Sequence, residues 1–129
     1  MDFNSLLNVG DTLVKEYIVK PENTAHVIGN TGVYVLSTPS MIGFMENTAA
    51  HVVLHKLPKN YKVVGTKVSV EHINSTPVNA KVTVKATLLN VEGKKLSYNV
   101  EAFNENHKIG FGTYEQHIIN FEKFLDKNR

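Results

Sequence analysis

Ten consecutive residues, Met41 to Ala50, carry one formal charge, Glu46, within a run whose apolar positions recur at helical spacing. Thr38 before that run is a favoured N-cap residue, and Pro39 a favoured first helical residue. Met41, Ile42, Met45, Ala49, Val52, Val53 and Lys56 trace one side. The spacing predicts a helix from Pro39 to Lys56 that stops before Leu57-Pro58. A helix with so little charge is expected to be buried on most of its circumference. The rest of the chain must then supply a surface to cover it.

That surface reads as antiparallel sheet. Asp11 to Val19 predicts a first strand, and the turn-rich Pro21 to Gly32 ends it. Gly32 to Leu36 fits a short strand or a loop. After the helix, Lys62 to Asn74 alternates, with Val64, Thr66, Val68, Val70 and His72 on one face. Lys81 to Val91 alternates with Val82, Val84, Ala86 and Leu88 inward. Glu92-Gly93 reads as a hairpin turn. Lys94 to Phe103 returns with Leu96, Tyr98, Val100 and Ala102 inward. Lys108 to Phe121 forms a last long strand, and Glu122 to Arg129 a frayed helical turn. The expected class is α+β, one central helix wrapped by an antiparallel sheet. Long strands leave edges to protect, and pairing them across a two-fold axis predicts a homodimer.

Composition narrows the function. The 129 residues suit one domain spanning 1–129. There is no Cys, which excludes a disulfide scaffold, a Cys nucleophile and a Cys-ligated zinc site. Fourteen basic against 12 acidic residues give a net charge of +2, and Arg129 is the one Arg. Reading base edges and clamping phosphates usually calls for Arg within the fold, so nucleic acid is not expected as a partner. No apolar run reaches the length of a membrane span. The first residues lack the basic and apolar regions of a signal peptide, so the expected address is cytoplasmic, with no membrane association.

Four positions could carry chemistry. Glu46 shares a helix face with Ile42 and Ala49. A carboxylate among apolar neighbours must be paired, shifted in its pKa, or point past the core edge to solvent. His72 ends the inward face of its strand. It is either a satisfied core histidine or the partner of a carboxylate on the facing helix. Thr38 caps the helix and could also stand beside free backbone N–H groups that favour anions. Gly65 interrupts a strand, which marks a bulge or a close approach to the backbone, and its N–H could donate to an oxyanion. Gly110 and Gly112 carry the same two readings, the structural one being favoured. His51 and His55, four apart, lack a third ligand at suitable spacing, so no metal site is expected.

The chain resembles the hot-dog fold thioesterases, and within them the fluoroacetyl-CoA thioesterase group. The matching segments are Gly43-Phe44-Met45-Glu46, Val70-Glu71-His72 with Ser75-Thr76-Pro77, Val91-Glu92-Gly93-Lys94-Lys95-Leu96-Ser97, Gly112-Thr113-Tyr114-Glu115 and Phe121-Glu122-Lys123-Phe124. The resemblance implies a Thr–Glu–His catalytic constellation on Thr38, Glu46 and His72, with Gly65 contacting substrate. The group's last-strand motif usually reads Gly-Thr-His-Glu-Arg. Here Gln116 stands where the Arg would be, leaving a neutral hydrogen-bonding group at a substrate-binding position. Val27 to Leu36 also lacks the aromatic, acidic pattern of the group's lid. The resemblance therefore implies hydrolysis of a small acyl-CoA without fluoroacetyl selectivity. It implies a homodimer or dimer of dimers, and no cofactor beyond the CoA of the substrate. Glu46 would pair with His72 or attack the thioester. A hot-dog enoyl- or hydroxyacyl-CoA hydratase and a non-catalytic acyl-CoA-binding protein are the alternatives.

Overall fold

The computed structural model describes residues 2–129. Its strands are β1 (Thr12–Ile18), β2 (Tyr61–His72), β3 (Lys81–Glu92), β4 (Lys95–Phe103) and β5 (Lys108–Asn120). The helices are α1 (Thr38–Val53) and α2 (Phe121–Lys127). All strand pairs are antiparallel, in the order β1-β3-β4-β5-β2. β1 and β2 are thus the two edges. Gly32–Leu36 forms no strand and contributes only isolated bridges, Thr24 with Leu36 and Val35 with Pro77. No helix among the described residues is long and apolar enough to cross a membrane.

α1 lies across one face of the sheet, mainly over β1 and β3. The alternation expected in β3 and β4 holds. Val82, Val84, Ala86, Leu88, Leu96, Tyr98, Val100 and Ala102 are fully buried. Met41, Met45, Ala49, Val52 and Val53 of α1 close the same core. A truncation such as Met45→Ala there costs about 2–5 kcal/mol.

Three details of the helix depart from expectation. Ser37 is the N-cap, its hydroxyl accepting from the Ser40 N–H at 3.2 Å, and Thr38 is the first helical residue. Both hydroxyl residues are competent caps, so sequence alone placed the boundary one residue late. The α-helix ends at Val53, and a 3-10 turn continues over Leu54–Lys56. The burial is also one-sided: Gly43, Glu46 and Asn47 form an open stripe. Absence of charge along a helix does not by itself mean that its own sheet covers it.

The rotation of α1 about its axis is fixed from β1. The Tyr17 hydroxyl lies 2.8 Å from Thr48 Oγ1 and donates to Asn47 Oδ1 at 2.9 Å. Its ring stacks on Phe44 at 4.4 Å. Lys15 Nζ donates to the same Asn47 oxygen at 2.8 Å.

The phase of β2 needs a correction. The register slips between Gly65 and Lys67, where Thr66 is an extra residue on β2. A one-residue bulge exchanges the faces. Val63 and Gly65 therefore share a face with Val68, Val70 and His72, because their cross-strand partners are Ile118, Gln116, Tyr114, Gly112 and Gly110. Val64 and Thr66 belong to the opposite face, where Thr66 Oγ1 meets His117 Nδ1 at 3.1 Å. The glycines of β5 act structurally: a Cβ at Gly110 would overlap the Met41 sulfur, and one at Gly112 the Ser69 carbonyl of β2.

The cap assignment has a measurable consequence. Ser37→Ala should destabilise the fold by about 1 kcal/mol in urea unfolding, and Thr38→Ala by distinctly less. The reverse order would return the capping role to Thr38.

Candidate active site

Two polar clusters lie along α1. The first joins its N-terminus to the end of β2. Because Gly110 has no side chain, Met41 packs against β5 beside the His72–Gly110 pair. Thr38, one turn earlier, then meets the His72 ring, with Oγ1 2.8 Å from Nδ1. Released from capping by Ser37, the Thr38 hydroxyl is available to this bond. Burial lowers the His72 pKa, opposed in part by backbone hydrogen bonding at Asn74. The neutral imidazole is therefore favoured. His72 Nε2 is buried and has no hydrogen-bond partner among the described residues. An unpaired buried nitrogen is costly, and such costs concentrate where function requires them.

The second cluster centres on Glu46. Tyr114 donates its hydroxyl to Glu46 Oε2 at 2.7 Å. Behind it, Tyr98 donates to Gln116 Oε1 at 2.5 Å, and the two tyrosine rings are 6.1 Å apart. Burial and then the Glu46 hydrogen bond raise the Tyr114 pKa, so the phenol remains a donor. Tyr98 is likewise raised, chiefly by burial. Gly65 lies directly beneath: a Cβ there would overlap Glu46 Oε2 and approach the Tyr114 hydroxyl to 2.5 Å. The missing side chain makes room for the carboxylate–phenol pair. The pair floors a cleft of about 490 Å³, lined also by Gly43, Asn47, Val63 and Gln116.

The expected site residues thus fall into two groups: Thr38 with His72, and Glu46 with Gly65 and Gln116. No hydrogen bond or ion pair joins Glu46 to His72 among the described residues. Tyr98 and Tyr114 were not singled out from the sequence. The signal was present: Tyr114, Gln116 and Ile118 alternate on one face of β5, and a tyrosine facing a helical carboxylate is a natural donor to it. His51 bonds only locally, its Nδ1–H donating to the Asn47 carbonyl at 2.7 Å. No group of three His, Cys, Asp or Glu able to hold a metal occurs among the described residues.

The arrangement of sheet and helix is that of a hot-dog thioesterase, a thioester hydrolase. A hot-dog-like protein from Thermanaerovibrio acidaminovorans superposes with a TM-score of 0.90, covering 99% of this chain and 95% of that one at 23% identity, which speaks to the fold. The model of the fluoroacetyl-CoA-specific thioesterase family matches residues 19–122. The fluoroacetyl-CoA thioesterase of Streptantibioticus cattleyicolor is 33% identical over 95% of this chain and 93% of its own length. A variant of a fluoroacetyl-CoA thioesterase solved in complex with acetyl-CoA superposes with a TM-score of 0.92 at 31% identity, covering 95% and 97% of the two chains. The chain belongs to the fluoroacetyl-CoA-specific thioesterase family.

The depressed His72 fixes a sign for pH dependence. A histidine whose native pKa lies below its unfolded value binds fewer protons when folded, so stability rises with pH in that window. Its contribution is present at neutral pH and is lost as pH falls through about 6.5 toward the native value. In NMR titration His72 should show a midpoint below about 6.5, and His72→Asn should flatten the stability profile in that range. A midpoint above the free-peptide value would contradict the burial argument.

Proposed function

We propose that the protein hydrolyses small acyl-CoA thioesters in a two-fold homodimer of single hot-dog domains, with Thr38 and His72 of one subunit facing Glu46 of the other. The observation that carries this reading is Glu46, a carboxylate on the open, otherwise uncharged stripe of α1 at the floor of a cleft. Thr38 and Glu46 are eight residues apart, about 12 Å of helical rise, too far to act on one carbonyl within a chain. A helix stripe whose one charge is Glu46 and an exposed edge at β2 are surfaces that a second copy can cover. Reversing the helix direction across a two-fold axis brings the two clusters toward each other.

In the proposed chemistry neutral His72 takes the Thr38 hydroxyl proton through Nδ1 as Oγ1 attacks the thioester carbon. The Gly65 N–H stabilises the oxyanion. The C–S bond breaks and the proton passes from His72 to the departing CoA sulfur. Glu46 then takes a proton from water as the water oxygen attacks the acyl-Thr38 carbon; the C–Oγ1 bond breaks, Glu46 returns the proton to Thr38 Oγ1, and the acid is released. CoA enters as part of the substrate, and its phosphates meet lysines, the only internal cations. Those phosphates do not cross a bilayer, which favours the cytoplasm as the working compartment.

Substrate choice follows from Gln116. It is 1% exposed, its carbonyl oxygen accepts from Tyr98, and its side chain also hydrogen-bonds Tyr114, so it is a neutral amide held between two phenols. A neutral amide offers less to a polarised fluoroacetyl group than a guanidinium would. We therefore place small unfluorinated acyl groups among its substrates.

Thiol release from short-chain, branched and aromatic acyl-CoAs tests the activity. Glu46→Gln, His72→Asn and Thr38→Val should each lower kcat by about 10²- to 10⁴-fold. Saturable binding without turnover would assign a non-catalytic acyl-CoA-binding protein instead. Co-expressed, doubly tagged Glu46→Gln and His72→Asn subunits should regain turnover, because one of their two shared sites is intact. No regain would place the whole site within one chain.

A further inference from the structure

The cleft at Glu46 has a second lobe. Besides the larger lobe with Asn47, Val63 and Gln116, a smaller one of about 260 Å³ is lined by Ile42, Lys67 and Val68. Three residues line both lobes: Glu46, Gly65 and Tyr114. Gly65 contributes no side chain, so the wall between the lobes is the Glu46 carboxylate and the Tyr114 phenol, bonded at 2.7 Å.

This wall is built to stay closed. Tyr114 is 3% exposed, and its ring lies near Tyr98. Its hydroxyl is held by a charge-assisted bond, the stronger class of hydrogen bond. The strand beneath has no Cβ to push the ring aside. Swinging Tyr114 away would break the bond to Glu46 and disturb the buried packing behind it.

We infer that Tyr114 determines acyl-chain specificity: its ring confines the acyl group to one lobe, while its hydroxyl positions Glu46. This deepens, and rests on, the reading that the thioester carbonyl reacts beside Glu46 and Gly65. From that point a chain can run into one lobe only, because the phenol closes the way to the other. A short acyl group fits within the confined space, and a longer one meets the ring.

Two substitutions separate the two halves of the role. Tyr114→Leu shortens the wall yet keeps an apolar side chain beside Tyr98. Tyr114→Phe keeps the ring and removes only the hydroxyl. The readouts are kcat and KM for acetyl- through octanoyl-CoA, and calorimetric affinity for the matching non-hydrolysable S-alkyl-CoA thioethers. For Tyr114→Leu, affinity for S-hexyl- over S-ethyl-CoA should rise about tenfold or more over wild type, as newly buried methylenes contribute. The kcat/KM profile should shift to longer chains in parallel. For Tyr114→Phe, kcat should fall about tenfold or more with KM and chain-length preference unchanged.

Equal changes at every chain length in Tyr114→Leu, or a wild-type profile, would overturn the specificity role. Wild-type kcat in Tyr114→Phe would overturn the positioning role. If Tyr114→Leu melts well below wild type, Tyr114→Met supplies the same test. A wild-type enzyme that bound the thioethers but released no thiol would refute hydrolysis, while the thioether affinities would still decide whether Tyr114 limits chain length.

Discussion

The rotational setting of α1 about its own axis governs where every polar group in this protein can go. One residue of rotation is about 100°, enough to drive Glu46 into the core and expose Met45. Tyr17 prevents this from the edge strand by stacking on Phe44 while its hydroxyl engages Thr48 and Asn47. Those contacts keep the apolar side on β3 and hold the stripe of Gly43, Glu46 and Asn47 open. Glu46 stands on that stripe because its neighbours on the other side are locked down. The N-terminus of the same helix then delivers Thr38 to His72 with no further adjustment.

The two clusters divide the chemistry by charge state. At one end a neutral imidazole faces a hydroxyl, in a setting where burial disfavours the imidazolium. At the other a carboxylate is bonded by a phenol that burial keeps protonated. Neither cluster uses a permanent cation. With no arginine inside the fold, the acid and base roles fall to groups whose protonation the local environment tunes. Family membership sets thioester hydrolysis as the task, and the placement of Gln116 between two tyrosines is where this chain departs from the group's usual arginine.

Much of this was legible beforehand, and the misses have specific causes. The inward faces of β3 and β4 follow from strict alternation, and the helix from its apolar spacing. Thr38, Glu46, His72 and Gly65 are marked by residue type and position in the sequence. The cap slipped by one residue because Ser37 and Thr38 are chemically interchangeable there. The phase of β2 fails at Thr66 because unbroken alternation ignores the extra residue of the bulge that Gly65 marks. Gly65 was flagged as a place of close approach, and what approaches is the chain's own Glu46–Tyr114 pair. The open stripe was missed because low charge was equated with burial by the same chain. Tyr114 escaped notice because a buried tyrosine in a strand resembles ordinary core until its partner across the helix is known.

The fit of Gly65 beneath Tyr114 also bears on how such a site can change over time. A side chain at 65 is excluded while the phenol is in place, and the phenol has room only while 65 is bare. The two positions are energetically coupled, as residues in direct contact are. A lineage that exchanged Tyr114 for a smaller residue would release the carboxylate from its bond, and a methyl at 65 would be tolerated only once Glu46 Oε2 had moved as well. In the opposite order the intermediate would lose the setting of its carboxylate. Altered substrate range in descendants of this chain should therefore begin at the tyrosine, with the glycine kept for as long as the carboxylate holds its place.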